Sequence, residues 1–492
     1  MTVASDTSAA AEQVIVSEHQ LREKVINEEF KIWKKTVPLL YDTIHTIALE
    51  YPSLLTDFYP QYTVSDNKNV VTAKLALGTN TSGKGQDYVH IMEVALPSTL
   101  APDFADFAFS ENIPIPANVT ENAIKKTHLW KHPGEVNAVR VSPDGKRIVT
   151  FDNKGAIHIF REGEEADQKL AYHSEEGYCL EWISELQFLS GANDNKIALW
   201  DISATSAPVK VFNSHSAVIN DISYSKPSKV LFGSVADDYY IQIHDLRAPE
   251  ESPAMKFSET YIQNAIQFHP EITTLFATAG RDNLVTLYDA RNTKEPLRKF
   301  YGHNDSVVGL KWGGSAEPDL LYSWGLDKRV LTWDLSQLGE DFTPSFEVTD
   351  SKKRLKQTAD PCLQFIHGGH TRRINDFAVH PTIPGLLASV GDDCLLEVYK
   401  PKDVFDHADD NSDSEEKAEE SGRDSKGDDE DDGAQSDKVD EKDLENDPEN
   451  DEDMTKGEED EESHFGNGSE NLMKAGKEKA EAEDVEMEEA TS

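Results

Sequence analysis

The sequence predicts an all-β protein, a propeller of seven four-stranded blades, with an α-helix before it and a disordered acidic tail after it. Three observations predict this fold: a strand-ending aromatic residue that recurs about every 44 residues, polar residues that keep step with it, and a charge distribution that sets the tail apart. The predicted parts are a flexible amino terminus at 1–16, a helix at 17–50, the propeller at 51–402 and the tail at 403–492.

The repeat consists of six short strands, most of which end in an aromatic residue. The inner four strand ends are separated by 44, 44 and 45 residues, with a fifth 40 residues before them and a sixth 66 residues after them. Every unit has a hydroxyl residue ten positions before the strand end, five have an acid six positions before it, and five have a histidine 27 to 30 positions before it. The strand ends are Phe160, Trp200, His244, Tyr288, Trp333 and Tyr399; the acids are Asp194, Asp238, Asp282, Asp327 and Asp393; the histidines are His132, His173, His215, His303 and His370.

These repeated polar residues are predicted to hold each blade together and not to catalyse a reaction. A turn aspartate accepts a hydrogen bond from the histidine, which meets the hydroxyl beside the strand-end aromatic, so that buried polar groups satisfy one another. Repetition in every unit is typical of framework residues. The pattern resembles that of WD-repeat β-propellers. The unit that ends at Tyr288 lacks the histidine and has residues around Ser258 instead.

The chain before the first repeat is expected to complete the ring. Segments 70–77 and 88–96 alternate like strands, and the turn at Gly83 and Lys84 lacks the hydroxyl residue and the helix that a phosphate-binding loop requires. We therefore predict a hairpin of the first blade here. Segment 53–59 is predicted to pair with the last unit, latching the ring and removing its exposed edges.

Two additions to the ring are predicted. An amphipathic helix begins near Glu18 after a capping-box pattern, and Pro38 is expected to kink or divide it. An insertion at about 337–366 has a basic middle that indicates either a solvated loop or a nuclear import signal. The helix stripe expected to dock on the propeller comprises Ile26, Phe30, Trp33, Val37, Leu40 and Ile44.

The segment 403–492 differs in composition from the rest of the chain. It contains 38 acidic and 9 basic residues, a net charge of −29 out of −44 for the whole sequence. Such a segment buries too little apolar surface to offset its ordering entropy, so we expect disorder. Acidity disfavours direct DNA binding and suits basic partners such as histones, although a solubilising tail has the same composition.

Several classes of function are disfavoured by the sequence. The three cysteines lack metal-binding or disulfide spacing, which suits a reducing compartment and predicts no metal. There is no signal-peptide pattern and no apolar run long enough for a membrane span, so we expect the nucleus, the cytoplasm or both. No nucleophile or base lies in an activating motif, which predicts no enzyme activity, no catalytic residue and no cofactor.

Five stretches outside the generic repeat resemble one family. They are "VINEEFKIWKKTVPLLYD", "ALEYPSL", "LGTNTSG", "LFGSVADD" and "FIHGGHTRRINDFAVHP", within a match from about Val25 to Lys400. The family is that of the histone-binding WD-repeat proteins related to the retinoblastoma-binding chaperones. Within it, "DARNTKEPLRKFYGH" and "EEGYCLEW" look most like the regulatory subunits of type B histone acetyltransferases.

The resemblance implies a groove for the first helix of histone H4. In the family, this helix lies between the amino-terminal helix and the loop before "FIHGGH", and its arginines pair with an acidic stretch. This chain has "RLKQTADP" in place of the acidic stretch, so that the arginine-binding role falls to Asp360 or moves to Glu347 or Asp350. The implied groove residues are Leu39, Leu40, Phe365, Ile366 and Asp360.

The resemblance also implies a peptide site on the wide face of the propeller. In the family, this face takes a basic peptide such as the histone H3 tail. The matching positions here form a less acidic set than in the family, because Asn220 stands where the family has glutamate. They are Glu135, Asn137, Glu176, Tyr178, Asn220, Asp238 and Asn264.

Together these features predict a chromatin regulator that binds histones without chemistry. The expected role is to bind H3 and H4 and to present H4 to the catalytic subunit of a type B histone acetyltransferase. One alternative is the small subunit of a chromatin assembly factor or a centromeric histone-loading chaperone. A second alternative, a generic WD-repeat scaffold, leaves the helix and the "FIHGGH" stretch unexplained.

Overall fold

The computed structural model describes residues 21, 24–102, 123–163, 168–203, 207–248, 252–315, 317–339, 342–349 and 354–402. The predicted flexible amino terminus, the capping box and the acidic tail lie outside these residues. Helix α1 covers residues 24–40. None of the helices in the described ranges has both the length and the apolar character needed to cross a bilayer.

The strands form seven four-stranded antiparallel sheets, here called blades 1 to 7. The outermost strand of blade 7 comes first in the chain and is β1 (Tyr41–Ala48). Blade 1 contains β2 (Thr56–Val64), β3 (Val70–Gly78), β4 (Asp87–Pro97) and β5 (Ile124–His132). Blade 2 contains β6 (Val136–Val141), β7 (Arg147–Asp152), β8 (Ala156–Arg161) and β9 (Gln168–Ala171). Blade 3 contains β10 (Gly177–Trp182), β11 (Gln187–Ala192), β12 (Ile197–Asp201) and β13 (Lys210–Phe212).

The remaining blades follow the same order. Blade 4 contains β14 (Ile219–Tyr224), β15 (Leu231–Ala236), β16 (Tyr240–Asp245) and β17 (Met255–Ser258). Blade 5 contains β18 (Gln263–Phe268), β19 (Leu275–Gly280), β20 (Leu284–Asp289) and β21 (Arg298–Tyr301). A separate hairpin, β25 (Phe346–Thr349) and β26 (Arg354–Gln357), interrupts blade 6, which contains β22 (Val307–Trp312), β23 (Leu320–Gly325), β24 (Val330–Asp334) and β27 (Leu363–His367). Blade 7 adds β28 (Ile374–Val379), β29 (Leu387–Gly391) and β30 (Leu395–Pro401) to β1.

The apolar core lies between blades. Each cluster of buried apolar side chains joins two neighbouring blades, so that stacking of sheets, and not any one sheet, removes these side chains from water. One cluster joins Phe58 and Leu75 of blade 1 to Val390 and Leu396 of blade 7. This contact closes the ring and confirms the predicted seven-bladed propeller.

The latch of the ring differs from the sequence prediction. Segment 53–59 was expected to pair with the last unit, but β2 pairs with β3 inside blade 1. The strand that completes blade 7 is β1, with Ile44 opposite Tyr399. A segment that precedes the first blade does pair with the last unit, as predicted. That segment is β1, so the assignment to 53–59 is wrong. The free edge of β30 can pair with any extended segment that reaches it.

The same pairing ends the helix early. The prediction of a helix over 17–50 is wrong for Tyr41–Ala48, which is strand β1. Thr43, Ile44 and Thr46 are β-branched and favour a strand, and the ladder with β30 satisfies their backbone groups. The insertion is likewise shorter than the predicted 337–366, since Leu363–His367 is the outer strand of blade 6.

The predicted framework bonds are present. In blade 3, His173 Nδ1 lies 3.1 Å from Asp194 and its Nε2 lies 2.8 Å from Ser190 Oγ, which also accepts from Trp200 Nε1 at 2.8 Å. The histidine, hydroxyl and aspartate recur in contact in blades 4, 6 and 7. These groups are buried and hydrogen-bonded to one another, which suits a structural role.

Candidate functional site

Helix α1 is held against blades 6 and 7 by a buried polar network centred on Tyr41. Trp33 Nε1 donates to Tyr41 Oη at 3.0 Å, and Tyr41 Oη lies 2.8 Å from His367 Nδ1. His367 Nε2 in turn lies 2.9 Å from a carboxylate oxygen of Glu397. Because Tyr41 Oη accepts from Trp33, its own proton is free to go to His367 Nδ1, which leaves the histidine proton on Nε2 facing Glu397. The network fixes the helix beside strand β27.

The outward side of helix α1 carries three exposed apolar residues among charged ones. Val25, Ile32 and Leu39 are 50%, 62% and 73% exposed and follow one another at intervals of seven residues. Residues seven apart lie on almost the same side of an α-helix, so the three form a stripe. This stripe is distinct from the docked side, on which Trp33, Val37 and Leu40 pack against the core between blades 6 and 7. Three exposed apolar residues on one side of a docked helix make this side a candidate contact for a partner.

The structure divides the predicted groove residues between the surface and the core. Leu39 is exposed, and Ile366 on β27 is 41% exposed, so both are available to a ligand. Leu40 and Phe365 instead pack inward against the same core, with the Phe365 ring 5.5 Å from that of Tyr41. Val25 and Ile32 were missed, although their seven-residue spacing from Leu39 is visible in the sequence.

Asp360 does not belong to the groove. It is 2% exposed, and its carboxylate contacts Arg298 Nη2 at 3.1 Å and accepts from the backbone N–H of Tyr301. The prediction that Asp360 receives a partner's arginine is therefore wrong, because a cation of the chain already neutralises it. Asp350, the other acid considered, lies outside the described residues, as does the side chain of Glu347.

The mouth of the central channel is lined by one residue from each of six inner strands. In β6, β10, β14, β18, β22 and β28, the register shifts at the second residue, where a β-bulge turns a side chain out of the ladder. Four of the six bulged residues are asparagines, and all six line a cavity of about 620 Å³. The bulged residues are Asn137, Tyr178, Asn220, Asn264, Val308 and Asn375.

These bulges bring together most of the residues that the sequence assigned to the peptide face. Asn137, Tyr178, Asn220 and Asn264 line the cavity, and Glu176 joins them. Asn220 and Asn264 donate their amide hydrogens to carbonyl oxygens of the next blade, Gln263 and Val307 respectively. Asn375 was missed, although its place one residue into an inner strand follows the repeat.

Negative charge concentrates on one side of this mouth. Burial raises the pKa of Tyr178 to about 12, and the charges of Glu176 and Glu135 contribute to the rise. Both carboxylates therefore lie close to this tyrosine, which is 44% exposed. The Nδ2 atom of Asn137 is buried without a hydrogen-bond partner among the described residues. An acidic rim beside amide groups suits a basic extended peptide, whose backbone the amides can bond.

Asp238 is the exception among the predicted peptide residues. Both of its oxygens lie near His215 Nδ1, at 3.1 and 3.0 Å, and it accepts from the backbone N–H of Ser216. Its side chain is almost fully buried. Asp238 is thus part of the blade 4 framework and does not line the channel mouth, as its place in the repeat also indicates.

Charged residues continue below the mouth. Arg140 donates to Asp376 at 3.0 Å, and Glu181, Asp221 and Lys311 line the same cavity. Burial raises the pKa of Asp221 to about 7, an effect to which the charge of Glu181 adds and which hydrogen bonds from backbone N–H groups oppose. The channel interior therefore holds one carboxyl group, that of Asp221, whose charge varies near neutral pH.

One group of side chains has the composition of a metal site. The ligand atoms of His367, His370 and Glu397 lie within 4.8 Å of one another. His370 is engaged through both ring nitrogens in its blade framework, and His367 contacts Tyr41 and Glu397. Since both His370 nitrogens have protein partners and His367 Nε2 is paired with Glu397 at 2.9 Å, we interpret the group as structural.

Comparison with known proteins agrees with this arrangement. Residues 28–98 match the family model described as histone-binding protein RBBP4 or the C subunit of the CAF1 complex. The chain is 34% identical to histone acetyltransferase type B subunit 2 of Candida glabrata, over 81% of this chain and 95% of that protein. Its identity to the proteins of the same name is 33% in Aspergillus oryzae, over 77% of this chain and 91% of that protein, and 34% in Schizosaccharomyces pombe, over 78% and 91%.

The matched residues 28–98 include most of helix α1, the latch strand β1 and the first three strands of blade 1. These parts lie outside the generic repeat, so the match is not a consequence of the propeller alone. Similarity over more than three quarters of both chains extends it to the rest of the ring. The chain belongs to the histone-binding WD-repeat family that includes RBBP4, the C subunit of CAF1 and the second subunit of the type B histone acetyltransferases.

Proposed function

We propose that this protein is a non-catalytic histone-binding subunit that binds histones H3 and H4 and presents H4 to the catalytic subunit of a type B histone acetyltransferase. The observation that carries the proposal is the exposed stripe of Val25, Ile32 and Leu39 on a helix whose other side is docked. Such a stripe fits the apolar side of a partner helix, which is how H4 is expected to bind.

The groove has two walls. Helix α1 supplies the stripe, and strand β27 supplies Ile366, while the Tyr41 network holds the two walls together. Removal of these apolar side chains from water favours binding of a partner helix. Because Asp360 is neutralised by Arg298, pairing with the H4 arginines is left to Glu347 or Asp350.

The channel mouth is the proposed site for the H3 tail. Glu135, Glu176 and Tyr178 lie on one side of the mouth, and asparagine amides line the rest together with Arg281 and Arg373. A lysine or arginine suits the acidic side, and the amides suit peptide N–H and C=O groups. Two separate surfaces let one chain hold both histones at once.

The partners follow from these surfaces. We propose histones H3 and H4 and an acetyltransferase catalytic subunit as partners, with no direct DNA binding and no membrane binding. The net charge of −44 opposes contact with DNA phosphates. The nucleus is the proposed location, since the relatives are named as histone acetyltransferase subunits, and the cytoplasm is proposed as a second location.

Affinity purification of the tagged full chain from native extract tests the proposal. We expect a catalytic acetyltransferase subunit to co-purify with H3 and H4, and the Leu39→Asp variant to recover less H4. Assembly-factor or centromere subunits in place of the acetyltransferase would assign the chain to the alternative complex. Recovery without any histone would contradict the histone-binding function and favour a generic scaffold.

A further inference from the structure

Blade 5 departs from the framework of the other repeats. Glu259 stands 29 residues before Tyr288, at the spacing where the other units have histidine. Its carboxylate accepts a hydrogen bond from the Tyr288 hydroxyl. A carboxylate thus occupies the place of an imidazole, and the donors that an imidazole supplies are missing.

Two acceptors of this blade are left without donors. Thr278 is fully buried, and its hydroxyl has no hydrogen-bond partner among the described residues. The equivalent hydroxyl of each other repeat unit lies 2.7 to 2.9 Å from the framework histidine. Asp282 Oδ1 is likewise buried and without a partner in the described part of the chain. The Thr278 hydroxyl therefore lacks the donor that a histidine supplies in the other units, whereas an unpartnered aspartate oxygen also occurs at Asp327 of blade 6, which has its histidine.

The charges agree with a missing donor. Burial raises the pKa of Asp282, and the negative charge of Glu259 adds to the rise, while backbone hydrogen bonds and Lys299 oppose it. In blade 3, burial also acts to raise the pKa of Asp194, but the hydrogen bond and charge of His173 bring it below the ordinary value. Blade 5 therefore has two neighbouring carboxylates where blade 3 has a carboxylate and an imidazole.

Two exposed tyrosines are backbone neighbours of Glu259, one across the ladder and one two residues along the chain. Tyr239 and Tyr261 are 47% and 52% exposed, and the backbone oxygen of Tyr239 accepts from the N–H of Glu259 at 2.9 Å. Tyr239 has a positive φ of 67°. Bulky residues adopt this conformation at a cost, and such strain is typical of functional positions. The equivalent turn positions of other units are Asn195, Asn283, Lys328 and Cys394.

We propose that Glu259 and Asp282, flanked by Tyr239 and Tyr261, form a subsite for a cationic side chain of the peptide bound at the channel mouth. An ammonium or guanidinium group brings only donors, which are what these oxygens lack, and tyrosine rings attract a cation. This inference rests on the proposed function and adds a subsite between blades 4 and 5 to the acidic side at Glu135 and Glu176.

The test uses variants that restore residues found elsewhere in the ring. Glu259→His recreates the arrangement of blade 7, in which His370 accompanies a strand-end tyrosine, Tyr399. Tyr239→Asn introduces the residue that blades 3 and 5 have at this turn. Both variants are expected to melt no lower than the parent. The matched control is Glu295→His, an equal change of charge at an exposed residue in the loop between β20 and β21.

The measurement is the Kd of a labelled H3 amino-terminal tail peptide for the full chain, by fluorescence anisotropy. We expect Glu259→His to weaken binding about tenfold and Tyr239→Asn several-fold, with Glu295→His unchanged. Peptides with single lysines or arginines replaced by glutamine identify the side chain, because its loss and Glu259→His are not additive.

Two negative results have different meanings. If the parent binds the peptide and Glu176→Lys weakens it, but Glu259→His does not, the subsite is refuted and the proposed function stands. If the parent does not bind the peptide, the channel mouth is not the H3 site, and the proposed function fails at this surface together with the subsite.

Discussion

The helix groove and the channel mouth are built in opposite ways. The groove uses elements that occur once, a helix and the edge of β27, and exposes apolar side chains. The mouth uses the same bulge in six strands and exposes amides and carboxylates. An apolar stripe recognises the shape of a folded partner helix, whereas a ring of amides bonds a backbone that has no secondary structure of its own. One chain can thus bind a folded and an extended partner independently.

The largest expected effect is on the groove. Leu39→Asp should weaken H4 binding about a hundredfold, because it puts a charge into a surface that is desolvated on binding. H3 peptide binding should not change. The measurement is the Kd of each histone ligand by isothermal titration, with Leu129→Asp, at another exposed leucine on β5, as control. Leu40 is a poorer probe, since it packs against the core. Unchanged H4 affinity would refute the groove.

The next largest effect is expected at the Tyr41 network, which supports the groove. Tyr41→Phe should lower the free energy of unfolding by about 2 kcal/mol, because Trp33 Nε1 and His367 Nδ1 both lose their partner. It should also weaken H4 binding and leave H3 binding alone. Urea denaturation measures the stability, and Tyr240→Phe, at a partly exposed ring, is the control. If the affinities for H4 and H3 fell equally, the two surfaces would be coupled.

A reversed charge at the mouth should have a smaller effect. Glu176→Lys is expected to weaken the H3 peptide about tenfold, since it replaces attraction for a basic side chain by repulsion. Glu185→Lys, in the turn at the opposite end of the same blade, is the matched control. Isothermal titration with both histones checks the result. If H4 binding falls equally, the assignment of the two ligands to two surfaces is wrong.

The smallest expected effect distinguishes the two regions by pH. The pKa of Asp221 is raised to about 7, so the folded protein keeps a proton that the unfolded chain has lost above about pH 4. The free energy of unfolding therefore falls as the pH rises from about 4 to 7 and is level above that. Asp221→Asn removes this contribution. The stability of this variant relative to the parent should therefore rise between about pH 4 and 7. The expected rise is about 1 kcal/mol, because Asp221 is partly exposed to solvent beside the channel.

Urea denaturation at several pH values from about 4 to 8 gives this difference. Asp305→Asn, at an exposed turn, is the control and should show no such trend. If the free energies of unfolding of Asp221→Asn and the parent vary in parallel with pH, Asp221 is ionised throughout this range. The exposed stripe of the groove consists of apolar residues that do not titrate, so H4 binding should vary less with pH than H3 binding.

The repeat in the sequence determined most of the ring. Spacing of strand ends, hydroxyls and acids predicted the blades and their framework bonds, because each unit meets the same neighbours and so needs the same residues. The same arithmetic predicted that one unit lacks its histidine. The groove and the peptide face were expected because the non-repeated stretches resemble the histone-binding WD-repeat family. The comparisons confirmed that family.

Only the tertiary structure showed which single side chains are exposed or paired and which segment pairs with each sheet edge. The repeat did not reveal that β1 closes the ring, since any extended segment can pair with a free edge. The sequence did not show that Leu39 is exposed while Leu40 packs inward, because adjacent helix residues differ only in which side meets the core. It also did not show that Arg298 pairs with Asp360, since the two residues are distant in the chain. Periodicity follows from local geometry and is visible in a sequence, but exposure and charge pairing depend on residues far apart in the chain.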